Sequence, residues 1–213
     1  MLKEGLIIFD MDGTLIDSSR SMTKSINYVR SHLSLPPFSV EKVVKLINEP
    51  DNDLPKLFYE DKMPYSECRK IFEKHYHQNC LVDMDLYDGV EEMLKALSKR
   101  YNLAILSNAY GDFVRKMIKH KGVDRYFELM IGSDDIGCRK PDPGGIFHTL
   151  DKLKFEKSRA LYIGDSLKDE MAAKNAGIKY IFVDWGFGEC KNPDATISKD
   201  SIREIEDIVK SLL

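Results

Sequence analysis

The sequence predicts an α/β fold, a parallel sheet with helical crossovers that is interrupted after its first strand by an all-helical insert. Three observations carry this. Short continuous apolar runs recur at 6–9, 103–106, 129–131, 160–163 and 180–183, the pattern of strands buried on both faces rather than strands with a wet face. From Gly89 onward these runs alternate with helical patterns, which implies parallel strands joined by crossovers. Between about 17 and 87 only helical patterns occur, broken by Pro36, Pro37, Pro50, Pro55 and Pro64, because proline interrupts the helical hydrogen-bond ladder.

Taken in order, Leu6, Ile7, Ile8 and Phe9 form the first strand, and Asp10, Asp12 and Gly13 follow it in a tight turn. Asp17, Ser18 and Ser19 offer N-caps to a helix whose apolar face is Met22, Ile26 and Val29. Helical patterns follow at 40–47, 54–58 and 68–76. His75 and His77 are two apart on the last of these and face different directions, so they read as exposed residues rather than a ligand pair. Val90, Met93, Leu94 and Leu97 give the next helix an apolar face, with Asp88 as its N-cap. The strand 103–106, a helix at 113–118, the strand 129–131 and a helix at 146–153 come next. The strand 160–163, a helix at 168–176 closed by Gly177, the strand 180–183 and a last helix from about 201 complete the chain.

The 213 residues suffice for one sizeable core and a small additional domain. Thirty-two basic and thirty-five acidic residues leave a formal charge of -3 without long runs of one sign. Neither a nucleic acid nor an anionic membrane is the expected partner, and a small molecule is. Cys68, Cys80, Cys138 and Cys190 are scattered, with no C-x-x-C pair, as in a cytoplasmic protein with reduced thiols. No signal peptide and no run of about 18 apolar residues is found, so the expected location is the cytoplasm.

Polar residues cluster where the strands end. Asp10 and Asp12 follow the first, Ser107 and Asn108 the second, and a loop with Lys140-Pro141 the third. Gly164-Asp165-Ser166 follows the fourth, with Asp169 four residues beyond Asp165. In a parallel sheet all carboxyl ends share one edge, where ligands bind, so these side chains are expected to converge. Taken singly each has a plainer reading: Asp12-Gly13 as a turn, Ser107 as a helix cap, Lys140 as a solvated charge, Asp169 as a first-turn acid.

D-x-D-G-T, then a serine at a strand end, then Lys-Pro, then Gly-Asp-x-x-x-Asp, in this order over essentially the whole chain, resembles the haloacid dehalogenase-like hydrolase superfamily. The resemblance implies a Rossmann-like catalytic core over 1–16 and 89–213 and a helical cap over 17–88. It also implies functional roles for Asp10, Asp12, Ser107, Lys140, Asp165 and Asp169. Members that displace halide lack an acid at the position of Asp12, so its presence here points to phosphate chemistry.

The residue types support the same chemistry. Three carboxylates brought to ~4 Å repel by about 4 kcal/mol per pair at an effective dielectric near 20. Lys140 supplies one neutralising charge, and Mg²⁺, a hard cation that takes oxygen ligands, is the natural second. The expected metal ligands are Asp10, Asp165 and the backbone carbonyl of Asp12, with Asp169 beside the metal or Lys140. Asp10 is placed to attack phosphorus and form an aspartyl-phosphate, and Asp12 to protonate the leaving oxygen and then activate water. Ser107 and the backbone N–H groups of Gly13 and Asn108 are expected to hold the phosphoryl oxygens.

The stretch from Val183 to Gly188 is similar to the V-x-W-G-[FY] segment of phosphoglycolate phosphatase-like members. That subgroup carries a G-x-P-L-like loop where this chain reads Leu46-Ile47-Asn48-Glu49-Pro50, and often a proline at Asp88. Glu49 is either a substrate-facing acid, which would disfavour a carboxylate-bearing substrate, or an exposed charge. The expected activity is Mg²⁺-dependent hydrolysis of a small phosphate monoester, with phosphoglycolate the first candidate. A phosphomutase, a phosphonate hydrolase with a reactive cap lysine and a silent binding protein are the alternatives.

Overall fold

The computed structural model describes residues 3–48 and 53–213. Glu49, the candidate substrate-facing acid, lies outside the described residues. The chain runs β1 (Leu6–Phe9), β2 (Ile16–Asp17), α1 (Ser19–His32), α2 (Val40–Asn48), α3 (Leu54–Tyr59), α4 (Tyr65–Asn79), β3 (Asp85–Leu86), α5 (Val90–Leu97), β4 (Asn102–Leu106) and α6 (Gly111–His120). It continues through β5 (Leu129–Ile131), α7 (Ser133–Ile136), α8 (Gly144–Leu153), β6 (Ala160–Gly164), α9 (Leu167–Ala176), β7 (Lys179–Val183), β8 (Ala195–Ile197) and α10 (Ile205–Leu212). Two compact units result, Met1–Ile16 with Leu86–Leu213, and Asp17–Asp85.

The first unit is an α/β core built on a six-stranded sheet of order β5-β4-β1-β6-β7-β8. Its pairings are all parallel. β1 sits between β4 and β6 and is fully buried, which is why four consecutive apolar residues suit it: neither face meets water. One side packs Leu6 and Ile8 with Ala104, Ile146, Tyr162, Ala172, Ala173 and Tyr180. Gly177, in the left-handed region at φ 74°, ends α9, as expected of a C′ glycine.

The second unit packs α1 to α4 around Ile26, Val29, Val43, Leu46, Phe58 and Cys68. Arg30, only 1% exposed, is a polar pin within it. Its Nε donates to the Pro36 carbonyl (2.7 Å), and its guanidinium lies 3.6 Å from the centroid of the Phe38 ring.

Several local expectations change. The three residues of β8 and the four of α7 are too short to show a period. The same is true of β2 and β3, which form a two-stranded sheet of their own. The N-cap of α5 is Gly89 in the left-handed region (φ 81°), without a side-chain bond, so Asp88 does not cap that helix. At α1 the N-cap is Ser18, but it is Asp17 that accepts from Ser19 N (3.0 Å) and Ser19 Oγ (2.6 Å). His75 is half-buried rather than exposed: it shares a hydrogen bond with Ser25 (2.9 Å) and stacks on Tyr28 with centroids 4.1 Å apart. The C-terminal segment opens as a 3-10 turn, Lys199–Glu204, before α10.

Candidate active site

The carboxyl ends of β1 and β6 deliver Asp10 and Asp165, 6% and 2% exposed, into one buried space. Parallel pairing sets their register, and Asp10 N donates to the Ile163 carbonyl (2.9 Å), carrying the β1–β6 ladder one residue further. Asp169, fully buried, enters from the first turn of α9. Ser166 caps that helix, and Asp169 Oδ2 accepts in return from Ser166 N (3.1 Å) and Ser166 Oγ (2.6 Å), a capping box that fixes the carboxylate. Oxygens of Asp10, Asp165 and Asp169 all lie within 4.8 Å of one another.

Lys140, 7% exposed, reaches this cluster from the loop after α7. Its Nζ pairs with Asp10 Oδ1, lies 2.6 Å from Asp169 Oδ1 and donates to the Tyr162 hydroxyl (3.0 Å). Asn108 fixes the lysine backbone with two bonds: its Oδ1 accepts from Lys140 N (2.8 Å) and its Nδ2 donates to the Lys140 carbonyl (3.0 Å). The Asn108 side chain is thus a brace for the Lys140 backbone. Ser107 is 3% exposed and its Oγ accepts from Ala109 N (3.0 Å). It closes a local turn and is not a helix cap, since α6 begins at Gly111 with Tyr110 at its N-cap.

The turn after β1 is closed by its own backbone. Gly13 N donates to the Ile16 carbonyl (2.9 Å), so the Gly13 amide, expected to face substrate, is already used. Its service is the absence of a side chain: at φ +89° a Cβ would lie 2.3 Å from Asp165 Oδ2. Asp12 is half-buried in the same turn. Asp165 is held by Thr14 Oγ1 (3.2 Å) and Phe187 N (2.7 Å), while Trp185 Nε1 donates to the Thr14 carbonyl (3.0 Å). Gly186 between them permits the approach, because a Cβ there would meet Gly13 O at 2.3 Å.

Electrostatics follow from three acids sharing one ammonium. Burial, reinforced by the charges of Asp169 and Asp165, holds the Asp10 carboxyl well above the usual carboxylate range against the pull of Lys140. Burial and Asp169 likewise push Asp165 up to about 7. Burial works against the Lys140 charge, but Asp10 and Asp169 outweigh it and keep its ammonium well above the ordinary lysine value. Such a space, lined by carboxylate oxygens with neither histidine nor thiolate among the clustered acids, suits a hard divalent cation that cancels the surplus negative charge.

Four contributors escape a reading of the sequence: Thr14, Tyr162, Trp185 and Phe187. Tyr162 offers one signal, being the single polar-tipped residue in an otherwise apolar strand, and a buried tyrosine hydroxyl requires a partner. Trp185 and Phe187 belong to the W-G-F signature, whose physical content is now visible as support for Asp165 and the Thr14 turn.

A family model for haloacid dehalogenase-like hydrolases matches residues 7–183. The chain belongs to this family. A phosphoglycolate phosphatase of Aquifex aeolicus (strain VF5) is 33% identical over 199 residues, which is 92% of this chain and 93% of that protein. The pyrophosphatase PpaX of Listeria innocua is 32% identical over 182 residues, 84% of this chain and 82% of that one. Among solved structures, a predicted phosphoglycolate phosphatase from Haemophilus somnus 129pt superposes with a TM-score of 0.86 at 26% identity, covering 98% of this chain and 99% of that one. The haloacid dehalogenase-like chain described here is therefore an enzyme, a hydrolase whose relatives act as phosphatases.

Proposed function

We propose that this hydrolase is a Mg²⁺-dependent phosphatase that passes the phosphoryl group of a small monoester to Asp10 and then to water. The buried cluster of Asp10, Asp165 and Asp169 around Lys140 is the observation that carries the reading. Asp10, Asp165 and the Asp12 carbonyl would hold the cation, with Asp169 close by, and the bound cation supplies positive charge to the phosphoryl oxygens. Asp10 attacks phosphorus through a carboxylate oxygen, forming one O–P bond as the bond to the alcohol oxygen breaks. Asp12 gives that oxygen its proton, then takes a proton from the water that attacks phosphorus and frees Asp10. Lys140 holds the attacking carboxylate. The Ser107 hydroxyl, whose oxygen already accepts from Ala109 N, keeps its own proton for a phosphoryl oxygen.

The substrate is a short phosphorylated acid or sugar, with phosphoglycolate first. Similarity to phosphoglycolate phosphatases supports that choice; Glu49 counts against it only as a substrate-facing acid and not as an exposed loop charge. We assign substrate choice to the Asp17–Asp85 unit as a cap, because the core residues address only the phosphoryl group and the metal. No helix among the described residues is long and apolar enough to cross a membrane, and the four cysteines are thiols outside any disulfide. Reduced thiols fit work in the reducing cytoplasm, the location we propose.

Release of inorganic phosphate from p-nitrophenyl phosphate tests the reaction class. Chelation should abolish release and Mg²⁺ restore it, with Ca²⁺ a poor substitute because its larger, looser coordination misplaces the attacking carboxylate. Full activity after exhaustive chelation would overturn the metal assignment. A panel of phosphorylated acids, sugars and pyrophosphate, scored for both phosphate and isomer formation, then separates hydrolysis from phosphomutase chemistry.

A further inference from the structure

We propose that Tyr162 is a positioning residue for Lys140, and that its hydroxyl sets where the ammonium stands between Asp10 and Asp169. The ammonium donates hydrogen bonds to Asp10 Oδ1 and to the Tyr162 oxygen, and it is ion-paired with Asp169 Oδ1 at 2.6 Å. The tyrosine has one proton, and it goes to the Leu106 carbonyl at 2.8 Å. That leaves only lone pairs to face Lys140, so the hydroxyl is fixed as an acceptor.

The anchor is rigid at both ends. Tyr162 is fully buried in β6, two residues before the strand ends and three before Asp165. Leu106 is the last residue of β4, directly before Ser107. One hydroxyl therefore ties the lysine to the strand that carries Asp165 and to the strand that presents Ser107. Asn108 fixes the lysine backbone, and Tyr162 fixes its charged tip across the four-carbon stem, the part otherwise free to rotate. Without the hydroxyl the ammonium would settle between its two carboxylates without a third restraint. A shift of even 1 Å matters at an attacking group.

This inference rests on the reading of Lys140 as the cation that holds the nucleophile, and the test separates the two. Phosphate release from p-nitrophenyl phosphate is measured for the wild type, Lys140→Ala, Tyr162→Phe and Tyr180→Phe, with melting temperatures for all. Tyr180 is the control: it is the β7 partner of Tyr162, is fully buried and donates to the Ser166 carbonyl (3.2 Å). Tyr162→Phe should lower kcat about tenfold or more with KM within about twofold, the effect of losing one restraint on a reacting group. Tyr180→Phe should lose similar thermal stability and keep kcat within about twofold.

A Tyr162→Phe enzyme with wild-type kcat, a loss confined to KM, or an equal fall of kcat in both tyrosine variants would each overturn the proposal. If Tyr162→Phe does not fold, a monofluorinated tyrosine at 162 keeps the ring and the Leu106 bond while weakening the oxygen as acceptor. Lower kcat at constant KM is then expected, and unchanged kcat overturns it. A wild type that releases no phosphate, or Lys140→Ala at wild-type rate, removes the underlying reading and this inference with it. An inactive Lys140→Ala beside a fully active Tyr162→Phe removes this inference alone.

Discussion

Asp169 and Glu170 are neighbours in the first turn of α9, both almost fully buried, and they meet opposite surroundings. Asp169 joins Asp10 and Asp165 around the single ammonium of Lys140. Glu170 has a cation to itself: Lys174 Nζ bonds its Oε1, Asn192 N donates to the same oxygen (3.1 Å), and Lys191 N (3.0 Å) and Cys190 Sγ (3.2 Å) donate to Oε2. Burial alone would raise Glu170, yet these donors bring it down to about 2, while burial and like charge push Asp165 up to about 7. A buried acid with enough donors fastens a loop. Buried acids with too few are poised to take up a cation and to react, at a cost in stability.

The largest expected effect breaks the reactive side of this contrast. Asp10→Asn should reduce phosphate release to background, because an amide is a poor nucleophile and a weaker metal ligand. The same variant should melt at a higher temperature than the wild type when both are measured in chelator near pH 7. The Asp10 carboxyl is held well above its ordinary value of 3.8, so the fold carries a penalty that is absent below that ordinary value, grows as the pH rises toward the raised one and is complete above it, and a neutral isostere removes it. A lower melting temperature for Asp10→Asn in chelator would show that the Lys140 pairing outweighs the repulsion.

Next comes Asp12, in the turn beyond the cluster. Asp12→Asn should keep phosphate binding and lose roughly 10² to 10⁴ in kcat for an alkyl phosphate, the usual worth of a general acid and base. The loss should be smaller with p-nitrophenyl phosphate in the first step, since its leaving group needs no proton. Equal losses on both substrates would remove the acid role.

The two sides of the contrast also differ in how far the sequence reveals them. β1, β4, β6 and β7 are legible because continuous apolar runs have few other meanings, whereas Ala195–Ile197 carries too few residues to signal a strand. Asp10, Asp165 and Lys140 are legible as polar residues at strand ends in a known order, and the structure does bring them together. The restraints on them are not. Asn108 meets Lys140 across 32 residues, Tyr162 reads as core, and the Gly13 amide looks available until its bond to Ile16 is seen. Glu170 has no signal either, since its donors at 190–192 are backbone groups brought near by the fold of the loop after β7.

Glu170 gives the smallest and most local prediction, and it sharpens the contrast from the structural side. Its folded value, about 2, lies below the ordinary glutamate value of 4.5. Its contribution is therefore complete above about pH 4.5 and is lost as the pH falls toward 2. The difference corresponds to about 3 kcal/mol at most, less whatever a neutral hydrogen-bonding group retains. Glu170→Gln should lower stability at pH 7 by roughly 1 to 3 kcal/mol, because one of its two terminal atoms becomes a donor facing other donors. Between pH 4.5 and 2 the wild type should lose this advantage, so the denaturation curves of the two proteins converge. Phosphate release should stay near wild type at temperatures where both are folded, as the 190–192 loop does not carry the acids of the cluster. Urea midpoints that differ by a constant amount across the acid range would show that the carboxylate charge is not what fastens the loop.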